Sequence, residues 1–438
     1  MAAAAVPLCA PAQESKPTIR HHRVEETVPD DTSSPEVEQA EAAMQKNDFA
    51  AAESLLLKAV AAKPGDYRAW FDLGDVYNAA NRLPEATEAY RKAVAAQADI
   101  FESNVNLGIL LARQGKNEEA AKFLKAATQL KPGGANPEQS MAHAWLALGR
   151  VEESASPQEA LDAYAQATKF NPKDPAPPLA AATLLEKQGQ LDEAAREYQT
   201  ALRLDTKSQP AISGLVSVYI RQNKYPQAET ALRRLLAIDP ANGGVRQQLG
   251  QVLAKEGKSD EAAEELKKVL QAGGSGRIEL ELGLLYVDAG NNVEAERWLR
   301  MAVQSLPQDA EAHYALGSLL MHVKRYPESQ QELLKAVQLK PDLTEAYGNL
   351  AVVAAENKDY PLTLKALDYR AKFLPEDSAS YFLRATTYDH LKAIPQAVEY
   401  YKRFIAADAG KFPDQEWQAR HRLIALDPKH ANKYESRK

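Results

Sequence analysis

A chain of 438 residues exceeds the usual reach of one hydrophobic core, so it holds either two or three domains or a single array of repeats. Hydrophobic residues make up 45% and aromatic residues 7%. The 53 basic against 60 acidic side chains leave a net charge of −7 with no long basic run, so a phosphate-backbone binder's electrostatic footprint is missing. No run of about 18 apolar residues is present to span a membrane, and the single cysteine, Cys9, excludes an intramolecular disulfide framework or a cysteine-based zinc cluster.

The first thirteen residues, "MAAAAVPLCAPAQ", are small and apolar and contain Ala10-Pro11-Ala12, the small-x-small pattern that signal peptidase reads. A basic n-region is missing and the apolar core is short. We read residues 1–13 as the remainder of a truncated signal peptide, with the mature protein starting near Gln13; a merely flexible alanine-rich start is the alternative. That reading places the protein outside the cytoplasm, in the periplasm, against a cytoplasmic alternative. Leu8 is too bulky for a lipoprotein signal at Cys9. Residues 14–35 have few apolar side chains, three prolines and no period, and are expected to form a disordered tether.

Self-similarity is the next test in a chain of this length. Pro64, Pro132, Pro172, Pro240, Pro307, Pro341 and Pro375 close similar endings, and their separations of 68, 40, 68, 67, 34 and 34 are, with one exception, close to multiples of 34. The intermediate marks fall at Ala98, Thr206 and Gly274. With Trp70 as position 4 of a copy, the columns are a large residue at 4, Leu at 7, a small residue at 8, a large one at 11, Ala at 20, a large apolar residue or Tyr at 24, a small one at 27 and Pro at 32. Trp70, Leu73, Gly74, Tyr77, Ala86, Tyr90 and Ala93 fill them in the clearest copy. Positions 4, 7, 8 and 11 share one face of a first helix, and 20, 24 and 27 share one face of a second, so each copy is a helical hairpin with an apolar seam. Gly74, Gly108, Gly250, Gly283 and Gly317 occupy the point where the second helix crosses closest. The closing proline ends the second helix.

The pattern resembles the tetratricopeptide repeat family over residues 36–409, in about eleven copies. The resemblance implies an all-α fold, an α-solenoid in which tetratricopeptide helix-turn-helix repeats wind into a superhelix, and it makes the Trp, Tyr and Leu stripes core rather than a cofactor box. In the family, first helices line a concave groove, and side chains near positions 2, 5, 6, 9 and 12 point into it. Carried over by position, this implies a partner-binding face of Arg68, Phe71, Asp72, Asp75 and Asn78 in the first full copy, Glu102, Asn106 and Ile109 in the next, and Tyr314, Ser318, Asn349 and Phe382 near the far end. Ala180, Gly214 and Ala315 at position 6 imply shape-based recognition in between. Two specialisations of the family fail on these columns. A chaperone-tail clamp needs Lys and Asn at positions 5 and 9, where Phe71 with Asp75 and Val105 with Ile109 stand. An asparagine ladder needs Asn repeatedly at position 6, and only Asn106 and Asn349 comply.

The array departs from its period at "GGANPEQS", Gly133 to Ser140, which is turn chemistry between hairpins: a tolerated extra loop, or a joint between two sub-arrays. The glycines of Gln271 to Leu280 read as a loose helix end, because Arg277 follows Gly276 where a phosphate loop needs Lys. Residues 410–427 read as a capping helix with Asp414 as N-cap, Trp417, Leu423 and Ile424 facing inward and Arg420 and Arg422 meeting water; residues 428–438 read as a basic tail.

Catalytic constellations are missing. His21, His22, His143, His313, His322, His390, His421 and His430 include no metalloprotease spacing, no nucleophile elbow occurs, and Glu118–Glu119 and Glu264–Glu265 sit where acidic residues favour a helix start or face water. We therefore expect no enzyme activity, no cofactor and no metal, and a protein or peptide as partner rather than nucleic acid. The leading expectation is an interaction scaffold or adaptor that holds peptides or helices in its groove. The competitors are a structural subunit of a cell-envelope complex that uses its convex face or ends, and an enzyme with an unrecognised site.

Overall fold

The computed structural model describes residues 34–434 and divides the chain into two compact units at Lys224/Tyr225. The first holds α1 (Pro35–Gln45), α2 (Phe49–Ala62), α3 (Tyr67–Ala79), α4 (Leu83–Ala96), α5 (Phe101–Arg113), α6 (Asn117–Ala127), α7 (Pro137–Glu152), α8 (Pro157–Phe170), α9 (Ala176–Lys187), α10 (Leu191–Leu204) and α11 (Gln209–Arg221). The second holds α12 (Tyr225–Ile238), α13 (Gly243–Lys255), α14 (Ser259–Gln271), α15 (Gly276–Asp288), α16 (Asn292–Ser305), α17 (Ala310–His322), α18 (Tyr326–Leu339), α19 (Thr344–Glu356), α20 (Tyr360–Ala371), α21 (Ser378–His390), α22 (Ile394–Asp408) and α23 (Pro413–Leu426), then a single 3₁₀ stretch, Pro428–Lys433. No strand occurs among the described residues, which bears out the all-α solenoid of helix-turn-helix repeats.

Every hairpin except α7–α8 turns on one residue held in the left-handed region. Asn47, Asn81, Gly115, Gly189, Asn223, Gly257, Gly290, Lys324, Lys358 and Lys392 have φ between +56° and +78°. They keep a step of 33 or 34 residues except across the insertion. The amide after each of these residues reaches back to a carbonyl near the end of the first helix, as Arg82 N to Tyr77 O at 2.8 Å, Lys116 N to Leu111 O at 3.0 Å and Lys258 N to Leu253 O at 2.9 Å. This helix ending satisfies carbonyls that would otherwise lack partners and sets the angle at which the second helix starts. Glycine and asparagine adopt such a φ at little cost, whereas the three lysines carry strain there.

With the turn set, the helices meet at position 8. A methyl group added to Gly74 would lie 2.5 Å from the Tyr90 ring, one on Gly108 2.6 Å from Leu124 Cγ, and one on Gly283 2.5 Å from Leu299 Cδ2. Gly149 plays the same part against Tyr164 in the copy displaced by the insertion, and Gly214 packs on Tyr198 of the preceding helix.

The insertion is shorter as a loop than it looks in sequence, because α7 already starts at Pro137. Gly133 N donates to Glu102 Oε1 at 2.8 Å, and Phe101, Val105 and Ala127 before the insertion share one apolar cluster with Met141 and Ala144 after it. Packing is therefore continuous there, and the division into units lies elsewhere. At Gln271 to Leu280, α14 ends, Gly273 turns with φ +97°, and Gly276 starts α15 against Ser305 and Leu306.

The end of the chain corrects several expectations. Trp417 is 62% exposed rather than inward-facing, because the buried stripe of α23 runs through Ala419 and Leu423, and Trp417 lies on another side with its ring against His421. Asp414 falls inside the first turn, and Phe412 holds the N-cap position without a side-chain bond. Arg422 pairs with Asp389 at 2.7 Å and Arg420 with Glu416, so neither is simply solvated. Tyr434 is buried beside Phe404 and Tyr401, and its hydroxyl donates to Asp427 at 2.6 Å.

The close approach at position 8 has an internal control within the second unit. Gly283→Ala should lose about 1–2 kcal/mol, the overpacking exceeding the roughly 1 kcal/mol that alanine gains in a helix. Gly348→Ala, where an added methyl meets nothing nearer than Arg370 Nε at 3.7 Å, should gain up to about 1 kcal/mol. Urea midpoints of both variants against the parent test this, and a shift of both in one direction would refute the seam.

Candidate binding face

Within each unit, first helices of successive hairpins touch one another, as α1 with α3, α5 with α7 and α9 with α11 in the first, and α15 with α17, α17 with α19 and α19 with α21 in the second. Odd-numbered helices therefore line the inner side of the stack. Between the second helices, charge pairs recur at a spacing of 28 or 29 residues: Arg82 with Glu53 at 2.9 Å, Lys258 with Glu229 at 2.7 Å, and Arg300 with Glu328 at 2.7 Å. Each is exposed enough to contribute little on its own.

The inner face is less open than its columns imply, because position 6 lies in the seam with the preceding copy. Ala315 is buried, Gly214 abuts Tyr198, and Ala180 is half-buried. In three copies a polar position 6 pairs with position 9 of the copy before. Asn106 Nδ2 donates to Asp75 Oδ1 at 3.4 Å, Asn349 Nδ2 to Ser318 Oγ at 2.9 Å, and Gln251 Nε2 to Glu281 at 3.3 Å. Four expected groove residues, Asp75, Asn106, Ser318 and Asn349, are thus rungs between copies. Asn78 likewise accepts from Arg113 at 3.1 Å.

Other expected residues are packed. Phe71 is 6% exposed and tilts against the Tyr90 ring, with centroids 5.7 Å apart, because position 5 here faces the core. Ile109 is half-buried against the core on both sides of its helix. Phe382 meets Tyr401 edge-on and Phe404 at 5.0 Å, and Tyr314 packs half-buried on the cluster around Tyr347 and Leu350.

The structure does bring Arg68, Phe71, Asp72 and Glu102 together. With Glu41, Tyr67 and Ile100 they line one cleft at the start of the first unit. Glu41, Tyr67 and Ile100 are absent from the columns above; counting the period back one copy from Asp75 reaches Glu41. Asp72 sits on the cleft floor with its Oδ2 buried and unpartnered. In the second unit, Leu284 and Val352 stand at position 9 with exposures of 36% and 43%, flanking Ser318. The spacing alone shows the position, but not that the neighbouring side chains leave it uncovered.

Among the described residues no group of three or more His, Cys, Asp or Glu side chains is placed to hold a metal ion. His313 is a core histidine satisfied at both ring nitrogens, by Glu332 at 2.6 Å and the Pro307 carbonyl at 3.2 Å. Glu265 is buried, and the bonds from Lys268 and Arg246 outweigh that burial and hold its carboxyl below the usual range. Cys9, His21 and His22, the signal-peptide segment and most of the tether lie outside the described residues. No helix among the described residues is long and apolar enough to cross a membrane.

Known proteins match along most of the chain. The family model for the Cilia and flagella-associated protein 70 C-terminal domain matches residues 21–280, more than half of the chain, and two Tetratricopeptide repeat models match residues 253–319 and 310–343. Cellulose synthase operon protein C of Xanthomonas axonopodis pv. citri (strain 306) is 27% identical over 243 residues, 54% of this chain and 15% of that protein. The protein of the same name from Pseudomonas fluorescens (strain SBW25) is 28% identical over 140 residues, 31% of this chain and 11% of its own length. The chain therefore spans a small part of these relatives. Among solved structures, pilF of Pseudomonas aeruginosa is 21% identical with a TM-score of 0.40, over 52% of this chain and 99% of that one.

The rung at Asp75 titrates in a useful range. Burial pushes its carboxyl up to about 7, against the bonds donated by Tyr90 and Asn106. Between 3.8 and about 7 the folded chain then binds more protons than the unfolded one, so this residue's contribution to stability is full at low pH and is lost as pH rises through that window. The melting temperature of Asp75→Asn should accordingly gain on the parent's as pH rises from 4 to 8. A difference that stays constant with pH would overturn this assignment.

Proposed function

The chain belongs to the tetratricopeptide repeat family, and from that premise we propose that it is a non-catalytic interaction scaffold whose odd-helix faces hold peptides or helices of a partner protein. The observation that carries the proposal is the uncovered strip on the second unit. Leu284 and Val352, separated by Ser318, expose apolar surface on the inner side, where helix-in-groove and extended-peptide recognition both need it. An exposed apolar side chain is ordinary alone, but here two of them recur at the same repeat position, one on each side of Ser318. Nearly every described residue serves a hairpin, which leaves no second domain to enclose a reaction. The Ala10-Pro11-Ala12 pattern supports an exported, periplasmic setting, with the cytoplasm as the alternative.

A second reading, a structural subunit that joins a cell-envelope assembly by its end, draws on the exposed Trp417 of α23. The two separate in one experiment. The partner is captured on the parent chain from the native organism and identified by mass spectrometry, and its binding to the purified variants is then measured. Leu284→Glu combined with Val352→Glu should weaken it at least tenfold and Trp417→Ser should leave it unchanged; the reverse pattern would refute the inner-face reading in favour of the end.

A further inference from the structure

Charge in the second unit is divided unevenly between its two kinds of helix. The first helices α15, α17 and α19 carry six acidic side chains, Glu279, Glu281, Asp288, Glu311, Glu345 and Glu356, against one permanent cation, Arg277. That guanidinium is already held by Asp309 at 3.1 Å and Glu311 at 2.7 Å. The second helices of the same three hairpins, α16, α18 and α20, carry five acidic and five basic side chains. Glu279 is buried and Glu281 accepts from Gln247 and Gln251, but Asp288, Glu311, Glu345 and Glu356 are exposed. The excess of negative charge therefore belongs to the inner helices and sets up a local field on their side of the stack.

Two of these carboxylates border the apolar strip. Positions 9 and 12 lie on one side of a first helix, and across the three helices they read Leu284 and Val287, Ser318 and Met321, then Val352 and Ala355. Val287 is 37% exposed, like its neighbour Leu284, and Met321 is half-buried. One turn beyond Leu284 stands Asp288, and one turn beyond Val352 stands Glu356, neither with a hydrogen bond or ion pair to another described side chain. His322 holds the same position between them. Each end of the strip thus sets an uncovered hydrocarbon beside an uncompensated carboxylate.

We propose that the inner strip of the second unit is specific for a basic amphipathic segment of the partner, one in which large apolar side chains are accompanied by lysine or arginine. The proposal rests on the scaffold reading and names the partner's chemistry at that same face. The apolar side chains cover Leu284, Val287 and Val352, while the cationic heads reach Asp288 and Glu356 and lay their methylene stems along the strip. A purely apolar segment would desolvate the carboxylates without pairing them, and an acidic one would be repelled. Neighbouring packed helices lie about 10 Å apart, so the two ends are roughly 20 Å apart, a span that about six extended residues cover.

The test pans a phage-displayed library of random dodecapeptides, long enough to reach both ends, on the full chain. Enriched peptides should place lysine or arginine beside leucine, isoleucine, valine, phenylalanine or methionine. Once synthesised, they should lose at least tenfold in affinity as salt rises from about 50 to about 500 mM. Asp288→Asn combined with Glu356→Gln should weaken them at least tenfold, and so should Leu284→Ser combined with Val352→Ser. The charge-matched pair Glu264→Gln with Glu399→Gln, on α14 and α22, should leave them unchanged. The salt series needs no variant, so it reads the same contacts should a substitution not fold. Enriched peptides without a basic preference, or basic peptides that keep full affinity for the Asp288 and Glu356 variant, would overturn the proposal. So would self-association of the chain that the serine variant abolishes, because the strip would then belong to a second copy. Uncharged apolar peptides that lose binding in the serine variant would end this proposal and leave the scaffold reading standing, whereas a library without any binder to the inner face counts against both.

Discussion

Two helices that cross at van der Waals distance leave no room for a side chain at the crossing, and in this chain the crossing recurs with the period of the sequence. The left-handed residue in all but one of the turns fixes where the second helix starts. The reach-back bond behind it fixes the angle, and in most copies position 8 is then glycine or alanine, Val216 being the exception. Overpacking at that point moves a whole helix rather than one rotamer, because the neighbour's backbone is close as well: an added methyl on Gly283 would lie 3.2 Å from the Leu299 amide nitrogen. A glycine with intrinsic helix cost of about 1 kcal/mol is stable there because the contact it permits is worth more.

Adjacent hairpins are joined by a different rule. The apolar seam between copies is supplemented on the inner side by a polar pair at positions 6 and 9, and on the outer side by charge pairs between second helices. The outer pairs are exposed and individually weak. The inner ones are partly buried, so their donors and acceptors have to match, and this makes them sensitive to identity. Asn106 with Asp75 matches through the asparagine amide. Asp72, at position 6 of the first full copy, keeps one buried oxygen without a partner, and burial together with the negative charges of Asp75, Glu41 and Asp66 raises its carboxyl well above its ordinary range, with Arg68 opposing.

How much of this could be read from residues alone follows from the physics of each feature. The seam glycines Gly74, Gly108, Gly250, Gly283 and Gly317 were legible because helix geometry repeats and a glycine in a helical stripe is conspicuous. Gly149 escaped because the insertion displaces its copy from the register, although its contact with Tyr164 is of the same kind. The groove residues were legible as positions but not as surfaces. Position 6 of a first helix points inward on a helical wheel, yet the adjacent copy covers it, and coverage depends on a neighbour at a distance that no local period encodes. Phe71 shows the same limit from the apolar side. Trp417 failed for a third reason: in a final helix without a following copy the period gives no register, and apolarity alone placed the side chain inward when it is the most exposed large apolar group after Val293.

Because each hairpin contacts chiefly its neighbours, the effect of anything bound at one rung decays along the array rather than spreading through a common core. The charge of Asp75 acts on Asp72 in the same helix, and Asp75 bonds to Tyr90 of its own hairpin and to Asn106 of the next. That short chain of polar contacts ends in apolar packing, since Ile109 carries position 9 of the second full copy and packs half-buried on apolar clusters. Electrostatic coupling therefore stops after two hairpins, where the rung changes from polar to hydrocarbon, and whatever recognition the later copies perform is set by their own side chains. In such an array the exposure of a side chain such as Leu284 or Val352 is decided by its own hairpin and the immediate neighbours alone.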